Sequence, residues 1–217
     1  MKYEMRRVGD FFALQKGFSY SGKNLVDESD VGFVTLNSFI RGGGFKVGSE
    51  KPIGGTIPEK FFLNQGDVCV AMTDISDEIL GSPLLIDFER TKYSSLVFSH
   101  HVARLRQLEP GLLPEFLYNV LRIPTFRKRA AYRDTGTTVL DLPFAALLDF
   151  AVPVPETAVQ RAINEIASNV DLLIYKNARI STQLEELAAR VFRSWFVDFD
   201  PVKAKMAGDA PVGMDAE

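Results

Sequence analysis

Three short segments of this 217-residue chain combine cations with groups that can come close to a polyanion. In Arg41-Gly42-Gly43-Gly44-Phe45-Lys46, the side chains of Arg41 and Lys46 can pair with phosphate or with the acceptor edge of guanine. The three glycines between them let the backbone approach a groove. In Arg127-Lys128-Arg129, followed by Arg133 and by the hydroxyls of Thr137 and Thr138, a cation-rich helix runs into a polar loop. Tyr20-Ser21-Gly22-Lys23 is a weaker third segment of the same chemistry. For each, the plain alternative is a charged face that does no more than hold water.

Other residue clusters point away from catalysis. Asp74, Asp77, Glu78, Asp87 and Glu89 could bind magnesium as in a metal-dependent nuclease, but Thr73-Asp74-Ile75-Ser76-Asp77-Glu78 reads better as turn and cap residues. His100 and His101 lie next to a strand, where neighbours face opposite sides, so they are expected to be structural rather than ligands of one metal. Cys69, the single cysteine, sits in Asp67-Val68-Cys69-Val70-Ala71 and reads as a small buried hydrophobe. The chain has no Pro-Pro, which the Asn/Asp-Pro-Pro-aromatic tetrad of adenine methyltransferases requires, and no Gly-x-x-x-x-Gly-Lys-Ser/Thr phosphate loop. No cofactor, metal or catalytic residue is expected.

Charge and hydropathy set the boundaries. The net charge is -3, with 25 Lys+Arg against 28 Asp+Glu. The acidic excess falls after residue 150, which leaves the first part balanced and able to present a basic face if its acids lie elsewhere. No run of about eighteen uncharged apolar residues suits a membrane, and the start has no apolar stretch behind its charges, so a cytoplasmic protein is expected.

The elements that must position these residues fall into two parts. Up to about residue 155 the pattern is mixed α/β and strand-rich, with strands expected at Val31–Leu36, Val68–Met72, Leu84–Phe88 and Leu96–Phe98. Helices are expected at Leu112–Leu121, with Leu113, Phe116, Leu117, Val120 and Leu121 on one face, and at Thr125–Tyr132. Gly42-Gly43-Gly44 and Asp134–Thr138 are expected loops, and Val152-Pro153-Val154-Pro155 closes the domain with extended backbone.

After Pro155 the period changes. Ile163, Ile166, Val170, Leu173, Asn177, Ile180, Leu184, Leu187, Val191 and Ser194 follow one another at alternating steps of three and four, the seam of a coiled coil. Glu156 to Phe196 holds neither Pro nor Gly and can run as one helix of roughly 60 Å, which needs a partner helix. Asn177, in mid-seam, could fix the register of that pairing, because misaligned it would face an aliphatic side chain. Phe192, Trp195, Phe196 and Phe199, interleaved with Arg190 and Arg193, form either a partner-docking patch or a pad against the chain itself. Lys203 to Glu217 reads as a linker.

Taken in order, these features resemble the specificity (S) subunit of type I restriction-modification systems. Gly66-Asp67-Val68-Cys69-Val70 looks like that family's Gly-Asp strand. Gly136-Thr137-Thr138-Val139-Leu140-Asp141-Leu142, then Val152-Pro153-Val154-Pro155 with Gln160 and Ile163, is similar to the end of its target recognition domains. Leu184-Glu185-Glu186-Leu187 through Phe192-Arg193-Ser194-Trp195-Phe196-Val197-Asp198-Phe199-Asp200-Pro201-Val202-Lys203 resembles the end of its conserved helix and is the most specific match.

The resemblance implies an α+β chain: a mixed α/β target recognition domain over 1–155, a long coiled-coil helix over 156–198, and a linker over 199–217. It implies a non-catalytic subunit that reads half of a bipartite target in double-stranded DNA and recruits methyltransferase (M) subunits and, through the complex, the restriction (R) subunit. Complete S subunits carry two such domains and two helices, whereas this chain has one of each. Either it is a half-length subunit that forms a homodimer through antiparallel helices, or it is the first half of a longer one. A coiled-coil scaffold with no DNA role would explain the helix equally well.

Overall fold

The structure is a computed structural model that describes residues 3–46, 48–74, 78–131, 140–211 and 213. It comprises two compact units, one up to Asn164 and one from Glu165 onward. The first contains strands β1 (Glu4–Arg7), β2 (Phe12–Lys16), β3 (Val31–Val34), β4 (Lys51–Pro52), β5 (Val68–Ala71), β6 (Thr73–Asp74), β7 (Pro83–Leu85), β8 (Ser95–Phe98) and β9 (Val102–Gln107). Helices α1 (Pro114–Leu121) and α2 (Pro124–Ala131), strand β10 (Leu140–Asp141), helix α3 (Phe144–Leu148), strand β11 (Ala151–Val154) and the start of helix α4 (Thr157–Phe192) follow.

Strands β2, β9, β5 and β7 form an antiparallel sheet in that order. In a second sheet, β4, β3 and β8, the β3–β8 pair is parallel. The four residues of β5 are all apolar and buried because the sheet is covered on both faces. Alternation sends Val68 and Val70 to one side, with Phe12, Leu105, Leu117 and Leu121, under α1 and α3. It sends Cys69 and Ala71 to the other, with Leu84, Ile86 and Phe98, against the second sheet. Cys69 is fully buried, and burial pushes its thiol far above the usual range, so it is inert.

The structure departs from the sequence expectations in the strands, at residues 152–154 and in the stretch after residue 199. The longest strand, β9, and its neighbour β2 carry Arg104, Arg106, Gln15 and Lys16 among their apolar residues and were not expected. Arg104 lies between them and the core: its guanidinium donates to Asp67 Oδ2 at 3.1 Å, Phe62 O at 2.9 Å and Gln15 Oε1 at 2.8 Å. It also sits 5.7 Å from the centre of the Phe98 ring. Residues 152–154, expected only as an extended end, instead belong to β11, which pairs antiparallel with β1, Glu4 opposite Val154. Finally, the stretch read as a linker contains a helix, α5 (Asp200–Ala207), described below with its unit.

Helix α1 buries Phe116, Leu117, Val120 and Leu121 as its spacing predicts, and Tyr118 besides. Its amino end is fastened by Gln160, which is wholly buried on the first turns of α4. Gln160 Oε1 accepts the Leu113 N–H at 2.8 Å, and Nε2 donates to Gly111 O and to Pro155 O, each at 2.7 Å. One amide thus ties α4, the loop before α1 and the end of β11 together.

The second unit is a helical rod with an apolar stripe. Among the seam residues, Ile166 is 67% exposed and Leu173 and Leu184 are each 60% exposed; Ile163, Val170, Ile180, Leu187 and Val191 are exposed too, as is Asn177. The helix expected to continue to Phe196 widens into a π-helical turn over Arg193–Val197. Phe199 then adopts a left-handed conformation with φ 52°, and α5 begins with Pro201 in its first turn. Ser194 Oγ donates to Asp200 Oδ2 at 2.8 Å across this reversal.

Replacing Gln160 by Leu leaves one buried N–H and two carbonyls without their partner. The variant should lose about 2–3 kcal/mol of stability in urea unfolding, and Gln160→Glu should also lose stability, because its buried carboxylate would face the Gly111 and Pro155 carbonyl oxygens. Equal midpoints for wild type and Gln160→Leu would refute the role given to this amide.

Candidate nucleic-acid interface

The antiparallel order of the central sheet decides which loops meet. The carboxyl ends of β2 and β5 and the amino ends of β9 and β7 share one edge. Tyr20, Ser21 and Lys23 follow β2; Met72 and Thr73 follow β5; His100 and His101 precede β9; Ser82 and Pro83 open β7. Ser21, Lys23 and the edge of Tyr20 are exposed.

The Arg41–Lys46 loop joins this edge through β7. Gly42 N–H donates to Ser82 Oγ at 3.2 Å, Gly44 N–H to Pro83 O at 3.0 Å, and Gly43 N–H to Ile40 O at 2.9 Å. The amides of these glycines are therefore engaged inside the chain. All three have positive φ, and a Cβ on Gly43 would stand 2.5 Å from Arg122 Cγ, so glycine is required by the turn and by close packing. Arg41 and Lys46 remain exposed on either side of the loop.

Arg122 ends α1, and the basic helix α2 follows at once. The Gly43–Arg122 contact thus brings two of the three basic segments side by side. Lys128 is exposed; the side chains of Arg127 and Arg129, and Arg133, Thr137 and Thr138 as whole residues, lie outside the described residues. Among the described residues, Lys23, Arg41, Lys46, Lys51 and Lys128 form no ion pair. Such cations can neutralise phosphates without first breaking an internal contact.

The acidic residues considered for metal binding are used by turns. Asp74 Oδ2 accepts the Ile79 N–H at 2.7 Å, and Asp87 caps a short 3-10 turn by accepting from Glu89 N–H at 3.1 Å while pairing with Arg90 at 3.0 Å. Asp77 lies outside the described residues. The histidines correct another expectation. They occupy a turn rather than alternate faces of a strand, and their ring centres stand 3.9 Å apart. The sequence reading also passed over Lys16, Thr35, Lys51 and Ser99 at this edge, whose separation along the chain leaves no local signal.

The seam from Ile163 to Val191 presents its apolar residues without cover among the described residues. Of the aromatic group, Phe192 and Phe196 stack with ring centres 5.2 Å apart and, with Phe199, stay exposed, whereas Trp195 is half-buried. No helix among the described residues is long and apolar enough to cross a membrane.

Comparison with known proteins gives this arrangement a context. The family described as the type I restriction modification DNA specificity domain matches residues 1–186. The HindI specificity subunit of Haemophilus influenzae is 35% identical over a stretch covering 45% of this chain and 22% of that protein. The MjaIX specificity subunit of Methanocaldococcus jannaschii is 29% identical over 43% of this chain and 22% of its own length. Among solved structures, the S subunit from M. genitalium aligns with a TM-score of 0.64 at 19% identity, covering 92% of this chain and 48% of that one. The HsdS subunit from Thermoanaerobacter tengcongensis aligns at 0.54 and 15% identity, covering 89% and 44%. The chain therefore spans about half the length of those structures.

Burial holds the His101 imidazole below its ordinary pKa, helped by His100 and Lys16 and opposed by Asp141. Its Nδ1 lies 2.9 Å from Thr73 Oγ1. Below the ordinary histidine value of about 6.5 the unfolded chain binds more protons at this position than the folded one. Stability should therefore fall as pH drops from about 7 through 6 and be regained on return. Urea midpoints measured at these values should show that decline in wild type and a weaker one in His101→Asn; identical pH dependence in both would contradict the assignment.

Proposed function

The chain belongs to the type I restriction modification DNA specificity domain family, and we propose that it reads one half of a bipartite target in double-stranded DNA with the loop edge of its central sheet. The observation that carries this reading is the convergence of separate loops, bearing Lys23, Arg41 and Lys46, with the basic helix α2 on that one edge. Phosphate contacts from these cations and from the Arg127–Arg129 segment fix the register on the duplex, and neighbouring polar groups meet base edges. Arg133, Thr137 and Thr138 extend the same surface. Domain limits of 1–155 for recognition, 156–198 for the helix and 199–217 beyond it describe the working parts.

The long helix serves as spacer and docking rail. The stripe from Ile163 to Val191 packs against an antiparallel helix, from a second copy or from the other half of a longer S subunit, and so sets the gap between two half-sites. Asn177 fixes that register. Phe192, Trp195, Phe196 and Phe199 dock a methyltransferase (M) subunit, and the restriction (R) subunit joins through the complex. Methyl transfer and ATP-driven cleavage belong to those partners, and this subunit holds no cofactor of its own.

The test begins from the target sequence, obtained by mapping methylated adenines in the host genome. Wild type should bind that duplex more tightly than a scrambled one, and Arg41→Ala with Lys128→Ala should weaken binding and reduce the log–log salt slope by about 2. Leu173→Glu should halve the mass in sedimentation and abolish preference for the two-part site while leaving the domain folded. No binding by wild type, or an unchanged salt slope in the double variant, would overturn the assignment of this edge.

A further inference from the structure

A cleft of about 180 Å³ opens on the same edge, and its chemistry differs from that of a phosphate-binding surface. Its floor comes from the carboxyl ends of the parallel pair β3 and β8. Thr35 and Ser99 each stand one residue past their strand, and the Ser99 N–H donates to Val34 O at 3.0 Å. Crevices beyond the carboxyl ends of parallel strands are where open sheets hold ligands. Tyr20 and His101 line the walls, with Tyr20 held edge-on to the buried Phe33 ring at 4.6 Å. Asn37 and Lys51 line it from the surface.

Two groups here lack partners in the free chain. Ser99 is 1% exposed, and neither its Oγ nor Thr35 Oγ1 makes a hydrogen bond. Buried hydroxyls are ordinarily satisfied, so an unpaired couple in residues that line a cleft calls for an external partner. None of the residues lining the cleft is acidic, and Lys51 is exposed and free of ion pairs among the described residues. Hydrogen-bonding hydroxyls below, aromatic rings beside, and an amide and an ammonium at the rim together suit a planar heteroaromatic ring carrying a phosphate.

Resting on the DNA-reading function above, we propose that this cleft receives a single nucleobase, with Thr35, Ser99 and Asn37 bonding its edge, Tyr20 and His101 against its ring, and Lys51 on the adjoining phosphate. The space admits one ring system and not a duplex, so a base that enters it leaves the stack. Identity of that base is then read by hydroxyls and an amide rather than through a groove. The same chemistry fits a free mononucleotide, and the experiment separates the two sources.

The full chain carrying Thr35→Val and Ser99→Ala is compared with wild type. Neither hydroxyl has an internal partner, so urea midpoints should be equal or higher in the variant. In an NMR titration with each of the four deoxynucleoside monophosphates, wild type should show shifts centred on Thr35, Asn37 and Ser99, with affinity for the best nucleotide falling about tenfold in the variant. On the mapped target duplex, an abasic substitution at one position should cost wild type about tenfold and the variant nothing.

Nucleotide shifts at the cleft together with unaltered DNA discrimination in the variant would assign it to a free mononucleotide and overturn the DNA source. No shifts at the cleft, with wild-type discrimination at every base position, would overturn the site altogether. If wild type binds no DNA, the reading of the loop edge fails by itself, and the nucleotide titration still decides whether the cleft binds a base.

Discussion

Everything positioned at the loop edge depends on β9 lying between β2 and β5. Antiparallel pairing on both sides forces the chain leaving β2 and the chain leaving β5 to emerge where β9 begins. A shift of one residue in either register would send Ala103 and Leu105 to the wrong face, so two apolar layers hold the alignment. Arg104, in the same strand, adds a polar constraint. Removed from solvent and bonded to Asp67, Phe62 and Gln15, it would leave several buried groups without partners if the strand slipped.

Helix α1 links the two ends of the first unit. Its first turn is gripped by Gln160, and its last residue leads to Arg122, which packs against Gly43 of the basic loop. The eight residues between are roughly 12 Å of stiff rod with four core side chains on one face. The start of the long helix and the cationic loop are therefore fixed through one short element rather than through flexible chain. The orientation of that loop relative to the first turns of α4 is set by packing.

What could be read from the sequence follows from where apolar residues are continuous. β5 and the α1 stripe show up because both are buried over consecutive or helically spaced positions, and the seam after Ile163 because its period persists. β2 and β9 were missed because a half-buried strand can hold an arginine whose charge is answered by distant residues, which no local pattern records. The cationic segments stand out by composition, but that the Gly42–Gly44 amides bond Ser82, Ile40 and Pro83 only the fold reveals. The cleft was invisible for the same reason, since Tyr20, Thr35, Lys51 and Ser99 are brought together by sheet topology alone. Gln160 was noticed as part of a resemblance, and its three hydrogen bonds supply the physical cause.

The pairing of β1 with β11 gives the first unit a single doorway. Glu4 stands opposite Val154, so the polypeptide comes in and goes out within one interstrand spacing, about 4.8 Å. A module built this way behaves as a cassette: another with the same paired hem could take its place without altering the span its neighbours must bridge. Changes inside the module then leave the rod that follows with its length and its measure.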